Sequence, residues 1–461
     1  MTIPQGELSE LLIALIRNAC VNDGTRESGH EARSIATLAG FFGQAGQVFE
    51  PEPGRCSAVY RVPGRSSAAP TLMLMGHVDV VPADASGWSA DPFGGERRDG
   101  FIWGRGAIDM LNQTAAMAAV FRRYLVGDEP PLAGDLVFLA VADEEAGSGL
   151  GARWLVENHW EAVACDYQLT EIGTPMLWGR SGPGLPVTVA EKGPHWRRLR
   201  TGGAPGHGSQ PYATQNALVP LADAIARLGD SPSPAVITDE WRRFVAAWDP
   251  DPSLAADLTD LDRIDRAIDR IAVDDIGLAR WVHACTHLTI SPNTLRAGVK
   301  ANVVPAAAVA EIDVRTLPGQ DRADVHDHFR KVVGPAFEEI TVEEMENTVA
   351  SGSVPDGPLW RALDGARGEI APDSHLLPAM IPVGTDARFF RPKGTVSYGV
   401  GLFDRRVGFG DFLTMFHGYD ERVSEESLGL TAALLVRTVA RFGEEIARAG
   451  YPGRGDRKTG K

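Results

Sequence analysis

The chain has 461 residues, which is more than one ordinary domain holds, so we expect two or three domains. Its 44% hydrophobic and 23% charged residues are typical of a soluble globular protein, and its net charge of −16 argues against a nucleic-acid partner, since no large basic surface is expected. No apolar run reaches the roughly 18 residues that a membrane span needs, and four scattered cysteines without a CxxC pair favour a reduced, cytoplasmic location.

The first part of the chain alternates segments that are typical of helices and of strands. Its N-terminus has no basic start and predicts an amphipathic helix in place of a signal peptide. Strands are then predicted at TLMLMGHVDVV (71–81), DLVFLAVADEE (135–145) and ACDYQLTEIG (164–173), with helices at 110–126 and 149–160 between them. Such alternation predicts an α/β layer fold whose functional residues follow the strands.

A second block of mixed helices and strands follows RSGPGLPVTVAEKGP (180–194), whose glycines and prolines predict a hinge. The block contains helices at 216–229 and 322–334, strands at 287–298 and 307–319, and an acidic helical insert at about 236–284. From about residue 350 the α/β pattern returns, and it ends in an amphipathic helix at 430–450. We therefore expect a discontinuous catalytic domain of α/β/α layers, residues 1–185 and 347–461, interrupted by a smaller inserted α+β domain, residues 186–346.

Side chains that can bind metal follow the predicted strands. They are His77 with Asp79, then Asp109, the pair Glu144 and Glu145, and Glu171, with His417 far downstream in FHGYDER. Each carboxylate alone is better explained as solvation of a loop. Several strand ends of one sheet converge on one cleft, however, and five nitrogen or oxygen ligands without a thiolate suit two zinc ions that share a carboxylate.

Two local patterns assign further roles in such a site. Residues i and i+2 of a strand face the same way, so Asp79 can hold the His77 ring in its ligating orientation. Neighbouring side chains of an extended backbone point to opposite sides, so one of Glu144 and Glu145 can bind metal while the other acts as a base. The alternative is a plain acidic turn after a strand.

These residues lie in motifs that resemble a family of dinuclear zinc amidohydrolases and metallopeptidases. The family includes aminoacylase, carboxypeptidase G, acetylornithine deacetylase and succinyl-diaminopimelate desuccinylase. The matching stretches span roughly 71–425 in the family's order: GHVDVVPA, DPFGGERRDGFIWGRGAIDM, ADEEAGS, TGGAPGHGSQP, NVVP, EIDVRTLPG, GTDARFF and HGYDERV.

The resemblance implies a role for each matching residue. It implies that Asp109 bridges two zinc ions, with His77 and Glu171 completing one site and Glu145 and His417 the other. Either Co²⁺ or Mn²⁺ is expected to substitute for zinc. Glu144 becomes the general base and Asp79 the support of His77, and a cis peptide is expected between Asp109 and Met110.

The resemblance also implies roles for the inserted domain, as a lid or dimerisation domain, and for the substrate cleft. His207 matches an oxyanion-stabilising histidine that reaches the active site of the other subunit in dimeric relatives, so we expect a homodimer. Arg315 and Asn302 match groups that bind the carboxylate end of the substrate, and Gly384 and Thr385 match residues that line the cleft.

The function that these motifs predict is hydrolysis of an amide bond in a small molecule, an N-acyl-amino acid or short peptide with a free carboxylate. GTDARFF lacks the serine of GTSDARF found in desuccinylases, which favours the aminoacylase and carboxypeptidase branches; DMLN in place of DMKG leaves the substrate range open. The alternatives are a specific biosynthetic deacylase of the desuccinylase or acetylornithine deacetylase type, and a non-catalytic binding protein on the same scaffold. Loss of Glu144 or of a ligand would mark the latter, and none is lost.

Overall fold

The structure is a computed structural model that describes residues 3–231 and 233–451. The last part of the predicted catalytic domain, residues 452–461, lies outside the described residues. The strands are, in chain order, β1 (Gln47–Glu52), β2 (Arg55–Val62), β3 (Leu72–His77), β4 (Glu96–Arg98), β5 (Phe101–Trp103), β6 (Leu136–Val141), β7 (Tyr167–Thr170), β8 (Leu177–Gly179), β9 (Gly182–Glu191), β10 (Gly193–Pro194), β11 (Arg197–Gly202), β12 (Gly206–His207), β13 (Thr289–Ala297), β14 (Val303–Val304), β15 (Ala307–Thr316), β16 (Thr341–Glu344), β17 (Ser351–Gly352), β18 (His375–Ile381), β19 (Val396–Gly399) and β20 (Arg422–Ser424).

The helices lie between these strands, as the alternating sequence pattern predicts. They are α1 (Gln5–Arg17), α2 (Ala32–Phe42), α3 (Leu111–Leu125), α4 (Ala152–Asn158), α5 (Trp160–Val163), α6 (Leu218–Asp230), α7 (Asp239–Trp248), α8 (Pro252–Leu258), α9 (Ile264–Asp274), α10 (Ile276–Thr286), α11 (Arg322–Val333), α12 (Pro358–Ile370), α13 (Ala387–Phe390), α14 (Phe409–Met415) and α15 (Glu425–Arg448). None of the described helices is long and apolar enough to cross a membrane.

A large ten-stranded sheet forms the centre of the described structure. Its order is β1-β2-β6-β3-β7-β19-β9-β17, with β8 and β18 paired to β9. The neighbours β6, β3, β7 and β19 run parallel, and every residue of β3 and β6 is buried, as expected of parallel strands covered on both faces. The carboxyl ends of these strands therefore meet at one edge of the sheet, where ligands bind in open α/β folds.

Alternate residues of β3 contribute to two separate hydrophobic cores. Leu72 and Leu74 pack in the core that contains apolar residues of α1, α3 and α15. Met73 and Met75 pack in the core that contains residues of α4 and α5. Because alternate side chains of a strand face opposite sides of the sheet, helices cover both faces. The predicted α/β/α layers are confirmed.

A smaller five-stranded sheet lies apart from the large one. Its strands are β10-β15-β11-β16, with β13 also paired to β15. One face packs on α6 and α11, where Leu199 and Ile312 share a core with Leu221 and Phe329. The alternating burial of β11 and β15 leaves the other face to polar side chains. This small sheet with its helices is the predicted smaller α+β part.

The stretch predicted as a hinge is mostly a strand. Residues 183–191 of β9 are buried in the large sheet, with Leu185 and Val187 in its core. The hinge interpretation of 180–194 is wrong there, because the apolar, β-branched residues outweigh the turn tendency of the glycines and prolines. Since β9 crosses the predicted boundary between residues 185 and 186, we now propose the boundary after Glu191.

The acidic helical insert packs against the large sheet and not the small one. Trp241, Phe244 and Trp248 of α7 lie in the same core as Leu185 and Leu377. The chain therefore passes between the two sheets four times: at Lys192, between α6 and α7, in 286–289 and in 345–350. The extent of the inserted domain stays a proposal.

Lys192 joins two of these crossings. It is fully buried, and its Nζ donates to the His287 carbonyl at 2.6 Å and to Thr289 Oγ1 at 3.0 Å. The backbone of Lys192 also donates to the Ile381 carbonyl at 3.1 Å.

Candidate metal centre and active site

The ends of the parallel strands bring the predicted ligands together. His77 is the last residue of β3, Glu145 follows β6, and Glu171 follows β7. Asp109 lies just before α3, and His417 lies between α14 and β20. Five residues from distant parts of the sequence thus form one cluster at the edge of the sheet.

Asp109 lies between the two histidines. Its Oδ1 is 3.3 Å from His77 Nε2, and its Oδ2 is 3.4 Å from His417 Nε2. A carboxylate that offers one oxygen to each of two imidazoles has the arrangement needed to bridge two cations. The predicted cis peptide between Asp109 and Met110 is confirmed, and a second, not predicted, joins Glu171 to Ile172.

Each histidine also faces one further carboxylate. Glu171 Oε2 is 3.6 Å from His77 Nε2, and Glu145 Oε2 is 3.3 Å from His417 Nε2. The cluster therefore has two halves that share Asp109, with the same pairing that the resemblance implies. That these residues bind metal remains a proposal.

Glu144, predicted as the free base, lies as near to the cluster as a ligand does. Ligand atoms of His77, Glu144 and Glu171 lie within 4.8 Å of one another, and so do those of His77, Asp109 and Glu145. The expected extended backbone is wrong, because Glu144–Ala146 form a 3-10 turn after Asp143, whose φ is 66°. The two glutamates still diverge: Glu145 faces His417, whereas Glu144 Oε1 is 3.7 Å from Arg388 Nη1.

Burial and charge shift the pKa of each group in the cluster. Burial raises the pKa of Glu144 well above its usual value, and the nearby carboxylates of Glu171 and Asp386 raise it further. Burial likewise raises the pKa of Glu171 to about 7. Burial would lower the pKa of His417, but hydrogen bonds to Asp109 and Glu145 outweigh it and raise the pKa to about 10. The pKa shifts thus reflect buried negative charge that bound cations would compensate.

The donor set fits divalent cations. It contains imidazole nitrogens and carboxylate oxygens, which zinc accepts as ligands. Glu145 Oε1 is buried without a hydrogen-bond partner among the described residues, as an unused ligand atom would be. His77 Nδ1 lies 3.0 Å from the Asp79 carbonyl and 3.5 Å from its carboxylate, so Asp79 orients the ring mainly through its backbone oxygen.

Residues that the sequence analysis did not select hold the loops of the cluster. Glu421 Oε1 accepts from the backbone nitrogens of Ile108 at 2.8 Å and Asp109 at 3.2 Å. Arg105 Nη2 donates to the carbonyl of His417 at 3.3 Å. Both charged side chains are buried and lie inside motifs already quoted, but no local sequence pattern indicates their burial or their pairing.

A second unselected group lies beside Glu144. Asp386 Oδ1 accepts from Ser148 Oγ at 2.5 Å, and Arg388 Nη2 donates to the same hydroxyl at 3.4 Å. Asp386 and Arg388 belong to GTDARFF, from which only Gly384 and Thr385 were chosen. Both side chains are buried, and the signal in the sequence is an aspartate and an arginine two residues apart within this motif.

The predicted substrate-binding residues lie at several places in the structure. Arg315 forms a two-pronged pair with Asp313, at 2.8 and 3.0 Å, on the polar face of the small sheet. Thr385 is buried, and both its backbone nitrogen and its hydroxyl donate to Glu191 Oε2. Gly384 lies close to Arg388 and Pro194, where an added Cβ would be 3.0 Å from Arg388 Nη1.

His207 lies on the two-stranded sheet of β12 and β14, and Asn302 directly precedes β14. His207 is exposed, its Nδ1 lies 2.7 Å from Ser209 Oγ, and its strand pairs with Val303. The Asn302 carbonyl accepts from Gly208 at 2.8 Å. Within the described ranges, no hydrogen bond or ion pair joins His207 to the metal cluster.

Comparison with known proteins finds similarity over most of the chain. The family model described as Peptidase family M20/M25/M40 matches residues 73–441. N-fatty-acyl-amino acid synthase/hydrolase PM20D1 of Xenopus tropicalis is 25% identical over 396 residues, which are 84% of this chain and 75% of the relative. Aminoacylase-1 of Sus scrofa is 28% identical over 388 residues, or 82% and 81% of the two chains.

A solved structure shares the fold. It is the M20 family metallo-carboxypeptidase Sso-CP2 from Sulfolobus solfataricus, with a TM-score of 0.71 and 17% identity, over 95% of this chain and 99% of that chain. At this identity the likeness concerns the arrangement of strands and helices.

Proposed function

The chain belongs to Peptidase family M20/M25/M40, and on that basis we propose that it hydrolyses an amide bond in an N-acyl-amino acid or a short peptide with a free carboxylate. The observation that carries the proposal is the position of Asp109, which offers one carboxylate oxygen to each of two histidines beside Glu144. Peptide-bond hydrolysis is also the reaction in the description of the family.

Two divalent cations would be held by the cluster, with His77 and Glu171 on one side of Asp109 and Glu145 and His417 on the other. When bound, they would lower the pKa of an attacking water and polarise the scissile carbonyl. We propose zinc as the cation, with Co²⁺ or Mn²⁺ able to substitute, because all five ligands are nitrogen or oxygen donors.

Glu144 performs the proton transfers. It accepts one proton of the attacking water, whose oxygen bonds to the acyl carbon, and passes that proton to the leaving amine nitrogen, so that the amide bond breaks into a carboxylic acid and an amine. Burial and the neighbouring acids Glu171 and Asp386 raise its pKa above the value of an exposed glutamate. Arg388, 3.7 Å from Glu144 Oε1, limits this shift.

The substrate contacts come from both the inserted part and the second part of the catalytic domain. Arg315 binds the substrate carboxylate, for which a guanidinium offers two parallel N–H groups. Asn302 binds the same end, Gly384 and Thr385 line the cleft, and His207 donates to the oxyanion. Because His207 is exposed on the β12–β14 pair, we propose that it serves the active site of the other subunit in a homodimer.

The names of the two relatives favour an acyl-amino acid as the substrate, and the name of the solved structure favours a peptide. The rival within the same chemistry is a biosynthetic deacylase of the desuccinylase or acetylornithine deacetylase type. A non-catalytic binding protein is disfavoured, because Glu144 and all five predicted ligands are present and clustered. We propose a cytoplasmic location, supported by four buried cysteines that form no disulfide.

A hydrolysis panel tests the proposal. Protein loaded with zinc is assayed on N-acetyl-amino acids of different side chains, N-fatty-acyl-amino acids, dipeptides, N-succinyl-diaminopimelate and N-acetylornithine, with the Glu144→Gln variant as the matched control. We expect turnover of several acyl-amino acids or dipeptides that a chelator abolishes and zinc restores. Turnover of one acylated diamino acid alone would favour the biosynthetic rival, and full activity of thoroughly metal-stripped protein would refute the metal-dependent mechanism.

A further inference from the structure

Asn22 joins two loops of the candidate active site. It lies in the segment after α1 and is only 2% exposed. Its Nδ2 donates to Asp79 Oδ2 at 2.9 Å and to Asp143 Oδ1 at 3.1 Å. One neutral amide therefore bridges two buried carboxylates that come from different strand ends.

Both carboxylates lie next to residues of the metal cluster. Asp79 follows His77 by two residues, and its Oδ2 also accepts from the Glu145 backbone nitrogen at 3.2 Å. Asp143 immediately precedes Glu144, and its other oxygen accepts from the Leu150 nitrogen at 2.8 Å. A shift of either carboxylate would move the adjacent ligand or base.

The orientation of the Asn22 amide is determined by its own surroundings. Its backbone nitrogen donates to the Val80 carbonyl at 2.9 Å. Its Oδ1 accepts from the Gly24 nitrogen at 3.1 Å, so Nδ2 must face the two carboxylates. The segment is thus attached at Val80 to the chain that follows β3, and it presents both N–H groups to the loops.

Charge balance explains why a neutral donor occupies this position. Arg55 Nη2 pairs with Asp143 Oδ1 at 2.5 Å, and Arg55 Nε pairs with Glu31 Oε2 at 2.9 Å. The Arg55 charge is shared by Asp143 and Glu31 and does not pair with Asp79. Asp79 receives hydrogen bonds from the Asn22 amide and the Glu145 backbone instead. An amide supplies two donors without adding a charge.

We propose that Asn22 is a positioning residue for the metal centre, which sets the spacing between the His77 loop and the Glu144–Glu145 loop. This inference rests on the proposed function, because it assumes that the cluster binds cations. Asn22 itself contacts neither substrate nor metal. Its effect is transmitted by Asp79 and Asp143, as with other groups that orient metal ligands.

The test measures cation affinity directly. Metal-stripped protein is titrated with Co²⁺ against a chromophoric chelator, and the visible spectrum of the bound Co²⁺ is recorded. Asn22→Asp replaces both donors by acceptors at nearly constant volume, and we expect the dissociation constant to rise about 10- to 100-fold. Asn22→Ala, which adds no charge, should act in the same direction and serves if Asn22→Asp does not fold.

Asn18→Asp is the matched control, four residues earlier in the same segment. The Asn18 amide donates to the hydroxyls of Ser34 at 3.2 Å and Thr37 at 2.9 Å, which can rotate and donate to a carboxylate instead. We expect its Co²⁺ affinity to stay within about twofold of wild type. The thermal midpoint of every variant is recorded, so that a loss of affinity is distinguished from a loss of fold.

The outcomes separate this inference from the proposed function. Asn22 variants that fold, bind Co²⁺ more weakly and hydrolyse substrate with reduced kcat at little changed KM support the role. Equal affinity in wild type and the folded Asn22→Ala variant overturns it, and so does an equal loss in Asn18→Asp. A wild-type protein that binds Co²⁺ but hydrolyses nothing refutes the proposed function alone, since the affinity comparison still holds.

Discussion

Arg105 and Glu421 form a buried ion pair, with 2.7 Å between Nη1 and Oε2, although 316 residues separate them in the chain. Through it the segment before Asp109 is joined to the segment after His417. The two ends of the proposed bridged site are thus connected by a contact outside the metal cluster.

Arg105→Met should destabilise the protein strongly. It leaves the Glu421 carboxylate buried beside Asp109 without its cation, which costs about 3–5 kcal/mol of the free energy of unfolding. Urea unfolding measures the loss, and the double variant Arg105→Met/Glu421→Gln should recover part of it. Arg153→Met, which breaks an exposed helical pair with Glu157, should cost less than about 1 kcal/mol. Equal costs for the buried and the exposed pair would contradict the account.

Glu144→Gln and Glu145→Gln should have different effects. Without its base, Glu144→Gln is expected to lose about 10²–10⁴-fold in kcat while it still binds two cations per chain. Glu145→Gln should release one cation more readily, because its Oε2 faces His417 in the cluster. Metal analysis beside steady-state kinetics distinguishes the two. Near-normal kcat in Glu144→Gln would show that another group is the base.

Arg315→Ala should impair substrates with a free carboxylate more than their amide-capped analogues. We expect a loss of about 10- to 100-fold in kcat/KM for the former, the size expected when hydrogen bonds to a charged group are lost. Arg198→Ala is the matched control, since Arg198 lies on the same small sheet and pairs with Glu311 at 2.7 Å. An equal loss for both substrate types would make Arg315 a structural partner of Asp313 only.

Mixing of inactive variants tests the shared active site. In a mixed dimer of Glu144→Gln and His207→Ala chains, the latter keeps its own Glu144 and receives His207 from its partner, so one of two sites is complete. Activity should therefore return during subunit exchange. Glu144→Gln chains exchanged with further Glu144→Gln chains should stay inactive, because every chain then lacks the base in its own metal cluster. No recovery despite proven exchange, or an active monomer, would assign His207 to its own chain.

Lys192 should give the stability a distinct pH dependence. Burial lowers its pKa to about 7 from 10.5, and a neutral amine has the two N–H groups that its two acceptors require. Between pH 7 and 10.5 the unfolded chain holds a proton that the folded chain lacks, so the free energy of unfolding rises with pH, by up to about 1.4 kcal/mol per unit. Below pH 7 Lys192 holds a proton in both the folded and the unfolded chain, so the rise in the free energy of unfolding that it causes is absent.

The Lys192→Met variant isolates this effect. The free energy of unfolding of wild type minus that of Lys192→Met should increase as the pH rises from 7 towards 10. The same difference taken with the exposed Lys300→Met should show no such trend. A difference that does not change with pH would mean that Lys192 stays charged in the folded protein.

Local patterns in the sequence predicted the central strands, the covering helices and the residues of the cluster. His77 and Glu171 can be identified because a polar ligand at the end of a largely buried strand is unusual: His77 is the last residue of β3, and Glu171 directly follows β7. By contrast, β9 was missed because glycine and proline signals dominate its start. The contacts of Arg105 with Glu421 and of Asn22 with Asp143 depend on pairing over more than 100 residues, which no local pattern reports.

The four passages of the chain between the large and the small sheet have a mechanical consequence. A body attached by one or two connectors can turn about many axes, whereas four covalent connectors must bend together and confine any relative rotation to an axis close to all of them. Lys192 and Thr289 lie where two connectors meet, and the hydrogen bond between them joins these connectors. A single protease cut in any one connector leaves three intact, and the nicked protein should remain one particle until it is denatured.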